Sequence, residues 1–130
     1  MARTNLPLTD LVQSASYTES ATAVDPTNGM NVVVASEVVG AKGDSQDVIL
    51  IFTNSGAGSE TITVRAGSAN PPAFRNGLGD LAVACASSAI TVVGPFESAR
   101  FAQPDGSLNV DFSAAATGTV VALRVPRTSV

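Results

Sequence analysis

The last third of the chain constrains the fold most, because its apolar residues recur with a period of two. In Leu108–Phe112, apolar and polar side chains alternate, and residues 119–125 repeat this alternation. Neighbouring side chains of a strand point to opposite faces, so each run predicts a strand with one buried face. Residues 104–106, Pro-Asp-Gly, give a turn signal. This turn separates the strand at Leu108–Phe112 from a preceding strand that leads to Phe101. We predict that residues 94–125 form a meander of antiparallel strands.

A second strong signal lies at residues 47–53, DVILIFT, which are apolar on both faces and rich in β-branched side chains. That composition is typical of a central strand. The Gly- and Ser-rich residues 54–59 predict a hairpin to a strand at residues 61–66. Further short strands are predicted at residues 16–24, 30–34, 81–86 and 89–93.

These elements predict an all-β fold of eight or nine short strands, with turns about every 8–12 residues and no convincing amphipathic helix. The architecture expected is a single-domain antiparallel β-sandwich, jelly-roll-like, or a small barrel. We divide the chain into an extended N-terminal arm, residues 1–16, and one β-sandwich domain, residues 17–130. The arm can fold back along a sheet edge or add a strand to a neighbouring subunit, and Pro7 suits an edge position.

Composition excludes several classes of function. The chain has no histidine, which removes Ser-His-Asp and Cys-His catalysis and histidine-ligated zinc. Its carboxylates fall in no EF-hand spacing, so we assign no catalytic, cofactor-binding or metal-binding residue and do not expect an enzyme. The net charge is −4 and the seven basic residues are scattered, which argues against nucleic acid as a partner. The single cysteine, Cys85, lies in an apolar run and is expected to be buried.

The ends and hydropathy of the chain bear on its location. No apolar run approaches the roughly 18 residues of a membrane span, and the first residues lack a signal-peptide pattern. We therefore expect a protein that is made in the cytoplasm and stays there, or that leaves it only inside something else, with no membrane partner.

Two segments stand out as candidate contacts. In residues 70–75, adjacent prolines stiffen a loop that presents Phe74 and Arg75, two residue types enriched at interfaces. The alternative is that Phe74 plugs the end of the sandwich while Arg75 pairs with a local carboxylate. In the segment before Phe101, Glu97 and Arg100 are expected to form a local surface ion pair.

Three runs carry a resemblance: NPPAFRNGLGDLAVAC at residues 70–85, GPFESARFAQPDGSLNVDF at 94–112, and TGTVVALRVP at 117–126. They resemble small head decoration (capsid cement) proteins of actinobacterial tailed phages and prophages, over about the last 60 residues. The resemblance implies a non-enzymatic virion protein on the outer surface of the capsid. Its partner would be the major capsid protein, whose neighbouring subunits it clamps. Family members often sit as trimers, so a homo-oligomer is expected.

Under this interpretation, the partner-binding residues lie in the arm and in the stiffened loop: Arg3, Asn5, Leu6, Pro7, Leu8, Pro71, Pro72, Phe74 and Arg75. We expect that removing the arm, or changing Phe74 and Arg75 to alanine, weakens capsid binding and leaves the domain folded. The alternative function is a phage tail or baseplate domain, or a receptor- or carbohydrate-binding β-domain. Sugar sites usually offer several aromatic platforms, whereas this chain has no tryptophan and one tyrosine, Tyr17.

Overall fold

Ten strands and one short helix make up the computed structural model, which describes residues 2–11, 16, 21–33, 48–68, 74–104 and 107–124. The strands are β1 Thr4–Asn5, β2 Leu8–Asp10, β3 Thr22–Ala23, β4 Met30–Val32, β5 Val48–Asn54, β6 Glu60–Val64, β7 Leu81–Cys85, β8 Ile90–Val93, β9 Leu108–Phe112 and β10 Gly118–Arg124. A 3-10 turn spans Asn76–Leu78, and α1 spans Ser98–Phe101. The all-β fold expected from the sequence is confirmed.

The strands form two sheets with an interleaved order. Sheet A runs β1-β4-β9-β6-β7, and sheet B runs β2-β10-β5-β8, with β3 also paired to β10. Strands β3 to β10 pair only antiparallel with one another, in the orders β4-β9-β6-β7 and β3-β10-β5-β8. This is the eight-strand order of a jelly roll. The two arm strands add to it in parallel, β1 on β4 and β2 on β10.

Two predicted strand pairings are wrong. Strands β9 and β10 belong to different sheets, so residues 94–125 are not a meander. Strands β5 and β6 also lie in different sheets, so residues 54–59 cross the sandwich instead of closing a hairpin. The period-two pattern identifies which side chains face the core, but both sheets share that core, and the pattern therefore does not select the partner strand.

Alternate side chains of the central strands fill the core. On β5 the inward residues Val48, Leu50 and Phe52 are fully buried, as expected for a strand flanked on both sides, by β10 and β8. Phe52 meets Phe112 of sheet A with ring centroids 5.5 Å apart. Burying a large apolar side chain contributes about 1.5–3 kcal/mol, so this inter-sheet contact is a main source of stability. The predicted burial of Cys85 is confirmed, because none of its surface is exposed.

The connections divide the sandwich into two ends. The links 25–29, 55–59, 86–89 and 113–117 are short and lie at one end, the short-loop end. The longer connections, from β6 to β7 and from β8 to β9, leave and re-enter the sheets at the other end, the long-loop end. Their described residues are 65–68, 74–80, 94–104 and 107. There the predicted strand that leads to Phe101 is wrong, because α1 occupies Ser98–Phe101. Phe96 precedes this helix and Phe101 is its last residue. Both are buried, with their rings 5.8 Å apart in an edge-to-face contact, so they close the core at this end.

Candidate interaction site

Segments 74–80 and 97–101 meet at the long-loop end and form the best-defined loop surface. The Arg75 amide donates a hydrogen bond to the Ala99 carbonyl over 2.6 Å. The Asn76 side chain donates to the Gly67 carbonyl over 3.0 Å. Backbone and side-chain bonds therefore hold the 3-10 turn against α1 and the end of β6, which limits the conformations of this loop.

Arg100 adds a second tie across the same junction. Its Nε donates to the Gly79 carbonyl over 3.0 Å, and its Nη2 donates to the Asp80 carbonyl over 3.2 Å. Its guanidinium also stacks over the Phe101 ring, 4.7 Å from the centroid. The predicted Glu97–Arg100 ion pair is wrong, because Glu97 binds Arg75 instead, with Nη1 to Oε1 at 2.6 Å. Arg100 therefore holds residues 79–80 against α1, through two backbone carbonyls and one aromatic ring.

The held loop presents an amphipathic surface, which we call the rim patch: Phe74, Arg75, Leu78 and Glu97. The side chains of Phe74 and Leu78 are 67% and 55% exposed. The expectation that Phe74 plugs the end of the sandwich is wrong, because Phe96 and Phe101 already fill that place. The accompanying expectation, that Arg75 pairs with a local carboxylate, is confirmed by its bond to Glu97.

The other candidate contacts predicted from the sequence lie elsewhere or outside the described residues. Pro71 and Pro72 lie outside the described residues. The arm residues follow the side of the sandwich where β1 pairs with β4 and β2 pairs with β10, whereas the rim patch lies near β6 and β7. These arm residues are Arg3, Asn5, Leu6, Pro7 and Leu8. The structure therefore joins Phe74 and Arg75 in one surface and separates them from the arm.

The arm contacts its own domain closely. Leu6 is buried, and its amide donates to the Asn31 carbonyl over 2.9 Å. Arg3 forms an ion pair with Asp111 at 2.5 Å. Asn5 and Pro7 are exposed, while Leu8 is half-buried against the core. The exposed arm residues, and not Leu6, are the ones free to meet another molecule.

A hydroxyl of the arm also lowers the pKa of a loop carboxylate, Asp25. The Thr4 hydroxyl donates to Asp25, and the backbone amides of Asn28 and Thr27 donate to the same carboxylate. Hydrogen bonds to the ionised form lower the pKa of Asp25 below its ordinary value, with the Thr4 bond contributing most. Asp25 therefore stays ionised to a lower pH than an ordinary aspartate, and it accepts the hydrogen bond from Thr4 in that form.

The outer face of sheet A is polar. Asn31 donates to Asn109 over 2.8 Å and to Ser107 over 2.9 Å. Arg65 bridges Asp80 at 3.1 Å and Asp111 at 3.5 Å. These groups satisfy one another, so the part of this face formed by β4, β9 and the residues that follow β6 is polar.

The outer face of sheet B is apolar, which sequence reasoning did not identify as a surface feature. Register places Val92, Ile51 and Val121 in one row across three strands. Val121 is only 4% exposed, whereas Val92 and its neighbour Ile90 are 59% and 68% exposed. The open part of this face therefore lies at β8. The signal was present in residues 47–53, whose apolar side chains on both faces require a second apolar layer or a partner.

The described residues bring together no group of three or more His, Cys, Asp or Glu side chains that could hold a metal ion. Within the same part of the chain, no helix is long and apolar enough to cross a membrane.

Compared with protein-family models, curated proteins and solved structures, the chain matches none of them. The fold and these surfaces define a small jelly-roll domain with exposed apolar residues at the rim patch and on β8.

Proposed function

We propose that this protein is a non-enzymatic structural protein of a phage virion, a decoration or cement protein on the outside of the head. It binds the major capsid protein and stabilises contacts between neighbouring capsid subunits. The observation that carries the proposal is the rim patch, where a hydrogen-bonded loop holds Phe74 67% exposed. An exposed aromatic on a loop that is already ordered docks at low entropic cost, which suits a protein whose task is to bury surface.

Two further observations support this function. The first is the resemblance to head decoration proteins, which implies the major capsid protein as the partner. It is carried by residues 70–85, 94–112 and 117–126. Among the described aromatic residues, Phe74 alone is exposed, since Phe52, Phe96, Phe101 and Phe112 are all buried. Sugar-binding surfaces use several aromatic platforms, so a single exposed ring favours a protein partner over the carbohydrate-binding alternative.

Purified protein mixed with assembled, undecorated capsids tests the proposal by co-sedimentation. We expect saturable binding at a fixed number of copies per capsid subunit. Phe74→Ala should weaken binding about tenfold or more, as for a hot-spot aromatic, and Arg75→Ala should weaken it further. Because both side chains are exposed, their removal should change the free energy of unfolding by less than about 0.5 kcal/mol.

Ser59→Ala is the matched control, since Ser59 is exposed at the opposite, short-loop end. It should leave both binding and stability unchanged. The arm is tested by Asn5→Arg at an exposed position, because deleting the arm would also remove the buried Leu6. Absence of co-sedimentation would contradict the proposal and shift weight to a tail, baseplate or receptor-binding role.

A further inference from the structure

Strand β8 is an outer strand of sheet B with one free edge. It pairs with β5 and with no other described strand. The Asn54 amide donates to the Ala89 carbonyl over 3.0 Å, and the register continues as Phe52 opposite Thr91. Hydrogen-bonded and non-bonded pairs alternate along an antiparallel ladder. Thr91 therefore bonds to β5, and the N–H and C=O groups of Ile90 and Val92 point away from it.

The same two residues carry the exposed apolar side chains of the sheet. Ile90 and Val92 are 68% and 59% exposed and share the outer face. No described residue outside β5 forms a backbone hydrogen bond with either of them. Free strand edges are usually protected by charged residues, prolines or bulges, because they offer a template for another strand. β8 consists of Ile-Thr-Val-Val and has none of these protections.

On the opposite side of the sandwich, the arm adds strands to both sheets. There β1 pairs with β4 in sheet A and β2 pairs with β10 in sheet B, where β3 also pairs with β10. At the β7–β8 side, residues 81–96 contain no charged residue, although the whole protein has a net charge of −4. Two copies of an acidic protein repel least where their surfaces are neutral, so this side is the one on which two copies can meet.

We propose that β8 is a self-association edge, at which a second copy of this chain adds its own β8 antiparallel and extends sheet B across a two-fold axis. In the register centred on Thr91, Ile90 lies opposite the partner copy's Val92, and Val92 opposite the partner copy's Ile90. Both pairs use edge-facing backbone groups, which gives about four new hydrogen bonds. The register also keeps the exposed apolar side chains of both copies on one face, as an isologous interface requires. The inference is independent of the proposed capsid function.

Sedimentation equilibrium of the purified protein over a concentration series tests the proposal without capsids. A short strand pairing buries little area, so we expect a weak, concentration-dependent dimer. Val92→Lys should raise the dissociation constant at least about tenfold, because two-fold symmetry places both lysines in one small interface. The control is Ala23→Lys, an exposed residue of β3 at the opposite edge of the same sheet, which should leave the dissociation constant unchanged.

A cysteine reporter checks the register. In the centred arrangement Thr91 faces its own counterpart in a non-bonded pair, with Cα atoms about 4.5 Å apart. That distance lies in the range of disulfides, about 4.4–6.8 Å. Thr91→Cys in a Cys85→Ala background should therefore form a disulfide-linked dimer under mild oxidation, whereas Ala23→Cys in the same background should not.

Three outcomes would overturn the proposal. One is a protein that stays monomeric up to about 1 mM. The second is a dimer whose dissociation constant Val92→Lys does not change. The third is a monomer in solution whose capsid binding is abolished by Val92→Lys, since that result would assign the edge to the capsid and not to a second copy.

Discussion

At the scale of single residues, Gly118 is a backbone position with little room for any side chain. It begins β10 with φ +129°, a conformation that residues with a side chain rarely adopt. A Cβ placed there would lie 2.0 Å from the Thr53 carbonyl oxygen of the paired strand. Gly118→Ala is therefore expected to lower the free energy of unfolding by about 3 kcal/mol or more, measured by denaturant titration.

The matched control is Gly58→Ala in the adjoining link at the short-loop end. A Cβ there would meet no atom within 4 Å. Its effect on the free energy of unfolding should stay within about 0.5 kcal/mol. Equal stability of the two variants would show that β5 and β10 are not paired as described.

Predictions for single residues were right where the local sequence determines burial. They were wrong where burial or pairing depends on residues distant in the chain. Cys85 sits in an apolar run, and its burial follows from that run alone. The exposure of Phe74 depends on Phe96 and Phe101, which are more than 20 residues away in the chain. Their buried rings already fill the end of the core. The partner of Glu97 likewise depends on the 3-10 turn, which brings Arg75 within 2.6 Å and was not foreseen.

At the scale of elements, the arm acts as part of the sandwich and not as an appendage. Its central residue Leu6 is 1% exposed and packs in the shared core between β1 and β2. Leu6→Ala removes buried methyl groups and leaves a cavity, so we expect a loss of about 3 kcal/mol in the free energy of unfolding. Thermal or denaturant unfolding of the purified variant measures this loss.

Asn5→Ala is the control for the arm, because Asn5 is the exposed neighbour of Leu6. It should change the free energy of unfolding by less than about 0.5 kcal/mol. A Leu6→Ala variant as stable as the unchanged protein would mean that the arm leaves its own domain in solution. That result would revive the hypothesis that the arm adds a strand to a neighbouring subunit.

The positions of the long strands were predictable from the sequence. The secondary structure of α1 and of the arm strands was not. The alternation in Leu108–Phe112 located β9 to the residue, and the apolar run at residues 47–53 located β5 within one residue. The segment that leads to Phe101 also shows spaced apolar residues, but Phe101 reaches the core from a single helical turn and Phe96 from the residues before it. The arm strands β1 and β2 are two and three residues long, too short to carry a period.

At the scale of the whole molecule, the interleaved strand order makes the two sheets depend on each other. Among the described strands, β6 and β7 are the only consecutive strands that pair with each other. The other links from β3 to β10 cross between the sheets, so neither sheet can be completed before the other. Sequence patterns act over a few residues, which is why they identified a sandwich and could not give the order of its strands.

This interdependence predicts a single cooperative unfolding unit. Ladder alternation makes the amide of Ile51 in sheet B bond to β10 and the amide of Thr63 in sheet A bond to β9. Native-state hydrogen exchange should give these two amides the same opening free energy within about 0.5 kcal/mol, with the same dependence on denaturant. Opening free energies that differ by more than about 1 kcal/mol would mean that one sheet unfolds alone. Two sheets built from separate local hairpins would behave in that way, because each could lose its own pairs without crossing the core.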